Sequence, residues 1–316
     1  MRISQRIKLI TRCFSSPPSE LTGTSRKKVT IETLRKIYKS NVPITMMTAH
    51  DYPTGYFCEK SNMDMTLVGD SLAMVSLGYS STNPITLDEM LHHSRAVARG
   101  SKSPFMIGDM PFGTYESDET TAVKNSIRFM KEGQVEGVKL EGGVEMASTI
   151  SKITKVGVPV LGHIGLTPQR AASLGGFKVQ GRTVAKAKKL LEDALALEQA
   201  GCFMIILEAI PESVAALITS RLSIPTIGIG SGVQCSGQVL VQMDMLGVYD
   251  KLAPKFSKVY AEIGKQTISA LEDYGTEVRN RTFPISGTHT YKMLKGEEEA
   301  FQEWIASEEA RNQTTL

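Results

Sequence analysis

At 316 residues, 41% hydrophobic and 22% charged, the chain has an ordinary globular composition, long enough for one large domain or two small ones. No stretch approaches the roughly 18 to 20 uninterrupted apolar residues that a membrane-spanning helix needs, so no membrane association is expected. Residues 1–28 carry seven Lys/Arg against the single acid Glu20, a net +6, which leaves −3 for the rest of a chain whose total is +3; a basic tail is not the surface footprint of a nucleic-acid binder.

In the first 19 residues Ile3, Ile7, Ile10 and Phe14 fall on one face of a helix, four basic side chains lie opposite, and serines follow at Ser15, Ser16 and Ser19. An acid-free amphipathic N-terminus of this kind reads as a mitochondrial transit peptide, residues 1–28, outside the fold; a frayed basic extension with no address is the competing reading. From residue 29 onward short apolar runs alternate with helical patterns. The runs are 44–48, 65–69, 105–108, 137–140, 158–162, 203–207, 224–229 and 239–243. Near-continuous apolar runs are what parallel strands look like when helices cover one face and a core the other.

Between the runs, Thr86-Leu87-Asp88-Glu89 is a capping-box pattern opening a helix that Gly100 ends. Residues 120–132 place Val123, Ile127 and Met130 on one stripe before Gly133, and residues 184–200 do the same with Ala187, Leu190, Leu191, Ala194 and Leu197 before Gly201. Eight strand–helix units suit a (β/α)₈ TIM barrel over residues 29–295, followed by a C-terminal helix and tail at 296–316. An open doubly wound sheet is the competitor. The seventh unit is the weak point, because the gap from Ile229 to Val239 has room for only a short helix.

The ends of the runs carry the chemistry. Asp70-Ser71, Asp109, Glu141, His163 and Glu208 each follow an apolar run at its C-terminal end. In a barrel that end builds the active site from residues far apart in sequence. Any one of these acids is also a commonplace helix cap; five titratable groups together point to one pocket. Carboxylates drawn together repel and raise one another's pKa unless a cation sits among them, and oxygen ligands without Cys or several His favour Mg²⁺ over Zn²⁺. Lys139, two residues before Glu141, points to the same side of its strand. It could hold a substrate carboxylate or pair with one acid.

The segment 162–182 has turn residues and no periodicity, long for a βα connection and suited to a lid. Gly228-Ile229-Gly230-Ser231-Gly232 is either a phosphate loop or a tight turn. His92 and His93 sit mid-helix as surface or packing residues. Cys13, Cys58, Cys202 and Cys235 are too widely spaced for a zinc site and read as reduced packing thiols.

The ordered strings Leu67-Val68-Gly69-Asp70-Ser71, Gly108-Asp109-Met110-Pro111-Phe112, Val138-Lys139-Leu140-Glu141-Gly142-Gly143, Gly162-His163-Ile164-Gly165-Leu166-Thr167-Pro168-Gln169 and Gly176-Phe177-Lys178-Val179-Gln180-Gly181-Arg182, followed by Leu207-Glu208-Ala209-Ile210-Pro211 and Ile224-Pro225-Thr226-Ile227-Gly228-Ile229-Gly230, resemble the ketopantoate hydroxymethyltransferase family. The resemblance spans roughly residues 29–290. It implies a TIM barrel, Mg²⁺, and transfer of a hydroxymethyl group from 5,10-methylenetetrahydrofolate to 3-methyl-2-oxobutanoate, giving 2-dehydropantoate for pantothenate and coenzyme A biosynthesis.

By motif it implies metal roles for Asp70, Asp109 and Glu141, substrate contacts from Asp70, Ser71, Asp109 and Lys139, and Glu208 as the base. His163 stands behind them as a proton shuttle or a hydrogen-bond partner. The family also implies small-molecule partners and a homo-oligomer, as large as a decamer. Two departures stand out: His50 where many members have Tyr, and Val233-Gln234-Cys235-Ser236-Gly237-Gln238 where Thr-Asp-Gly is usual. A magnesium-dependent carbon-bond lyase or mutase of the isocitrate lyase/phosphoenolpyruvate mutase type is the alternative, but such enzymes rely on a Cys in a mobile loop, and the long loop here has none.

Overall fold

The computed structural model describes residues 26–250 and 254–313; Cys13 and most of the expected leader lie outside them. The chain divides into a larger unit that runs to Met245 and resumes up to Val259, and a smaller one made of Leu246–Asp250 and the residues from Tyr260 onward. In the larger unit eight parallel strands, β1 Ile44–Thr48, β2 Met65–Val68, β3 Phe105–Asp109, β4 Gly137–Glu141, β5 Val160–Gly165, β6 Met204–Glu208, β7 Thr226–Ile229 and β8 Gly237–Leu240, close into a barrel in chain order. The β1–β8 pairing, Ile44 opposite Gly237 through Met47 opposite Leu240, excludes the open sheet.

The period-two alternation of a strand sorts the core into two layers. Ile44, Met46, Met65, Leu67, Phe105, Ile107, Leu161, Met204, Ile206, Ile227, Ile229 and Val239 pack together in the interior. The alternate residues, among them Val68, Met106, Val138, Leu140, Val160, Ile205 and Leu207, pack outward with the helices. Each fully buried Leu, Ile or Met contributes about 1.5–3 kcal/mol, so the interior stack is a rigid floor for whatever lies above it.

Three local expectations shift. β8 starts at Gly237, two residues before the apolar run. A Cβ at Gly237 would meet the Ile44 carbonyl oxygen at 2.4 Å, so the closing strand needs a glycine that an apolar count passes over. Residues 230–236 alone connect β7 to β8 and contain no helix. Helix Glu119–Lys131 buries Ala122, Ser126 and Phe129 and leaves Ile127 exposed, so its inner stripe lies one residue from the expected one.

Helix Leu87–Gly100 opens on the Thr86–Glu89 capping box as expected. Its last residue is Gly100, again as expected, with Ser101 as the C-cap. A Cβ at Gly100 would lie 2.4 Å from the Tyr52 carbonyl oxygen, so this glycine also lets helix Tyr52–Lys60 approach closely. The long segment after β5 holds two short turns, Pro168–Arg170 and Ala171–Leu174, closed by Gly175 in the left-handed region at φ 72°.

In the smaller unit, helix Ile263–Arg279 exposes Ile268, Leu271, Tyr274 and Val278, spaced three, three and four apart and hence on one face. A second helix spans Glu297–Gln313. No described helix is long and apolar enough to cross a membrane.

Candidate active site

Strand register does most of the assembly. Asp109 pairs with Lys139, Glu141 with His163, and Gly165 with Glu208. Asp109, Lys139, Glu141, His163 and Glu208 therefore continue the inward-facing rows of their strands, one layer above the apolar interior. Asp70 joins them from the turn after β2. The sequence-predicted acids are brought to one end of the barrel.

Lys139 Nζ occupies the centre. It lies 2.9 Å from Asp109 Oδ1, 3.6 Å from Glu141 Oε1 and 3.2 Å from His163 Nδ1. All four residues are at most 3% exposed. Burial opposes the charge on Lys139, but Asp109, Glu141 and Asp70 outweigh it and raise its pKa, so the ammonium persists. An ammonium has no acceptor, so in the neutral form of the ring Nδ1 accepts from it and the ring proton sits on Nε2.

His163 Nε2 lies 3.1 Å from Glu208 Oε2. Burial and the Lys139 charge oppose a second proton on the ring, but the Glu141 and Glu208 carboxylates, 3.5 Å from Nδ1 and 3.1 Å from Nε2, prevail and raise the pKa to about 9. The Glu208 side chain is 14% exposed against 0–4% for Lys139, Asp109, Glu141 and His163. It is the one of these carboxylates open to solvent at the barrel mouth. Ala209 follows at φ 47°, a left-handed conformation costly for a residue with a Cβ, and the chain leaves the strand at once. A Cβ at Gly165 would lie 2.3 Å from the Glu208 carbonyl oxygen, so β5 must end in glycine for β6 to carry Glu208 there.

Asp109 is held well above the usual carboxylate range by burial first and then by the charge of Asp70, with Lys139 opposing. For Glu141 burial is again the largest influence, but Lys139 and His163 overcome it and lower its pKa. Asp109 Oδ1 and Glu141 Oε1 are both fully buried and make no aligned hydrogen bond. Ser71 precedes helix Leu72–Val75 but its side chain does not cap it.

Among the described residues no three His, Cys, Asp or Glu side chains form a preformed metal cage. Asp109 Oδ1 and Glu141 Oε1 face the Lys139 ammonium at 2.9 and 3.6 Å without an aligned hydrogen bond, and with Asp70 beside them they form a hard-oxygen donor set that fits a second cation keeping some of its waters.

Two residues that strand-end reading passed over complete the site. Gln169 Nε2 donates to Asp70 Oδ2 and the Met110 carbonyl, each at 2.9 Å, and its backbone N–H donates to Glu141 Oε2 at 3.1 Å. Tyr115 donates from its hydroxyl to Gln169 Oε1 at 2.5 Å and accepts from the Glu141 backbone N–H at 3.3 Å. Both lie in loops, where no periodicity marks an inward position; the only signal was Gln169's place at the end of the 162–169 string.

The other candidates resolve simply. Cys58, Cys202 and Cys235 are buried free thiols, and burial pushes Cys58 up to about 11 and Cys202 up to about 12. They are inert packing residues. Gly230 and Gly232 adopt φ 67° and 90°, and a Cβ at either would strike Phe256 or Glu212, so the turn accounts for that glycine run. His50 is buried, and its carbonyl accepts from His93 Nδ1 at 2.5 Å.

A family profile described as ketopantoate hydroxymethyltransferase matches residues 28–286. Relatives named 3-methyl-2-oxobutanoate hydroxymethyltransferase include one from Emericella nidulans, 51% identical and covering 92% of this chain and 83% of its own. Another, from Oleidesulfovibrio alaskensis, is 52% identical over 85% and 92%. A protein from Arabidopsis thaliana, 3-methyl-2-oxobutanoate hydroxymethyltransferase 1, mitochondrial, is 48% identical over 87% and 81%.

Among solved structures, phosphonopyruvate hydrolase in complex with oxalate and Mg²⁺ matches at TM-score 0.55 and 13% identity, covering 89% of this chain and 98% of its own. A 2,3-dimethylmalate lyase of the PEP mutase/isocitrate lyase superfamily matches at 0.52 and 12%, over 88% and 98%. At such identities the likeness is one of fold, and the alternative lyase or mutase reading gains nothing further from it. With its motifs on the barrel rim and relatives near 50% identity over most of its length, the chain belongs to the ketopantoate hydroxymethyltransferase family of transferases.

Proposed function

We propose that the barrel mouth transfers a hydroxymethyl group from 5,10-methylenetetrahydrofolate to 3-methyl-2-oxobutanoate, giving 2-dehydropantoate for pantothenate and coenzyme A synthesis. The observation that carries this reading is the solvent-accessible Glu208 carboxylate at the barrel mouth, beside a buried ammonium and imidazole ring. The C3 hydrogen of the oxoacid is too weakly acidic to leave unless the charge it releases is received nearby. Glu208 accepts that proton. The electron pair of the broken C–H bond passes into the ketone as an enolate; water cleaves the two C–N bonds of the methylene bridge, releasing tetrahydrofolate and a one-carbon unit at the formaldehyde level, the enolate carbon bonds to that carbon, and the proton held by Glu208 passes to the new alkoxide oxygen.

Lys139 and Ser71 orient the substrate carboxylate, and Asp70 and Asp109 border it. His163 delivers or receives a proton at Nε2 or holds Glu208 in place. Asp70, Asp109 and Glu141 would hold Mg²⁺, which when bound supplies electrophilic stabilisation of charge on the oxoacid oxygens. The apolar face of Ile263–Arg279 supports a homo-oligomer, and the basic leader supports mitochondrial import.

The test is proton NMR in heavy water without folate. The protein with Mg²⁺ should exchange the C3 hydrogen of 3-methyl-2-oxobutanoate for deuterium, and chelation should stop it. Glu208→Gln should lower exchange and turnover by at least about 10²-fold while oxoacid binding survives. Retained exchange in that variant would place the base elsewhere.

A further inference from the structure

We infer that Gln169 is a positioning residue whose side-chain amide dictates which oxygen Asp70 presents to the site, while its backbone N–H ties Glu141, and that Tyr115 fixes the direction of that amide. The inference rests on the reading that these carboxylates hold a divalent cation.

The carboxylates around Lys139 share a pattern. Asp109 Oδ2 accepts from the Asp70 backbone N–H at 2.9 Å, Asp70 Oδ2 accepts from Gln169 Nε2, and Glu141 Oε2 accepts from the Gln169 backbone N–H. Each carboxylate is tied through one oxygen to a neutral N–H donor. For Asp109 and Glu141 the other oxygen is the buried one turned to Lys139 Nζ, at 2.9 and 3.6 Å, without an aligned hydrogen bond. Two of the three ties come from one residue.

Gln169 is 2% exposed and fully engaged: both amide hydrogens have acceptors, Oε1 has a donor, and its carbonyl accepts from Asn83 Nδ2 at 3.1 Å. Turned over, the amide would set Oε1 against Asp70 Oδ2 and the Met110 carbonyl, three acceptors together, so only one orientation is satisfied. Tyr115, 1% exposed, enforces it. Its hydroxyl proton goes to Oε1, and the oxygen's lone pair is taken by the Glu141 N–H. A one-way chain of donors thus runs from the end of β4 through Tyr115 and Gln169 to Asp70.

A carboxylate pinned through one oxygen offers a cation a single ligand atom in a fixed place. That suits a small hard ion which wants octahedral geometry and keeps several waters, and groups of this kind are typically worth 10- to 100-fold in metal affinity or activity. A buried amide that merely tied three loops together would instead register as lost stability alone.

The experiment titrates Mn²⁺, read by the electron paramagnetic resonance of the free ion, into the full-length protein and its Gln169→Met and Tyr115→Phe variants. Thermal midpoint and kcat are measured on the same samples. Gln169→Met keeps length and volume but has no donor; it should weaken Mn²⁺ binding and lower kcat 10- to 100-fold. Tyr115→Phe should move both in the same direction by less. Reintroducing a donor of the same length with Gln169→Glu should restore part of the affinity at pH values low enough to protonate it. Wild-type Mn²⁺ affinity in Gln169→Met, with or without a lowered midpoint, would overturn the inference. If that variant does not fold, unchanged affinity in Tyr115→Phe overturns it equally. A wild-type protein that takes up no Mn²⁺ would instead remove the metal reading beneath it.

Discussion

His163 is the residue whose charge is most finely set. Two carboxylates raise its pKa to about 9 against burial and a neighbouring ammonium. A histidine that binds its proton more tightly folded than unfolded stabilises the fold fully below about pH 6.5, and that stabilisation is lost as pH rises through about 9. In chelator, the urea midpoint should therefore fall between these values by the equivalent of about 3 kcal/mol. His163→Gln should flatten that slope. An equal slope in both proteins would assign it to another group.

Residue by residue, the sequence revealed the groups that end strands, because an inward row continues at a fixed period past the last apolar side chain. Asp109, Glu141, His163 and Glu208 were legible for that reason, and Lys139 by its spacing from Glu141. Gln169 and Tyr115 were not: a loop has no period, and a buried amide is recognised only by what it touches. Nor does sequence reveal that the ammonium occupies the centre, since that depends on the shear between neighbouring strands.

At the scale of elements, strands covered on both faces were plain as apolar runs, and the capping box at Thr86 located its helix. β8 was misplaced because no helix follows β7. Gln238 is exposed on it, so the strand alternates and its first half does not look buried. The stripe of Glu119–Lys131 moved because small residues, Ala122 and Ser126, take the innermost line where that helix packs closely. Gly143 has the same logic: a Cβ there would lie 2.1 Å from Asp193 Oδ1, which accepts from the Val144 N–H, so helix Val184–Gln199 grips the loop after β4 directly.

The leader is an element prediction too. Residues 1–28 fused to a fluorescent protein should carry it into mitochondria, and Arg2, Arg6 and Arg12 changed together to Glu should abolish import. A cytosolic signal from the intact fusion would refute that address. Arg26 and Lys28 bear on where it ends. Arg26 pairs with Asp64 at 3.0 Å and Lys28 with Glu136 at 2.6 Å, so these last leader positions are already held by the barrel.

For the whole molecule, the closed order of eight strands followed from counting units, while the smaller unit beyond Tyr260 did not show in composition. Its exposed Ile268 and Leu271, 59% and 64% accessible, form the kind of apolar stripe that a second copy of the chain covers. Analytical ultracentrifugation should find an oligomer, and Ile268→Asp with Leu271→Asp should reduce its mass. A wild-type monomer at micromolar concentration would overturn the assembly.

The layering of the barrel interior has an electrical consequence. The stacked Ile, Leu and Met side chains beneath Lys139 and the carboxylates form a floor of low polarisability. Field lines from the charges above spread poorly through it and leave by the mouth, where water begins. The entrance, rather than the surface as a whole, therefore sets the potential that an approaching small ion meets.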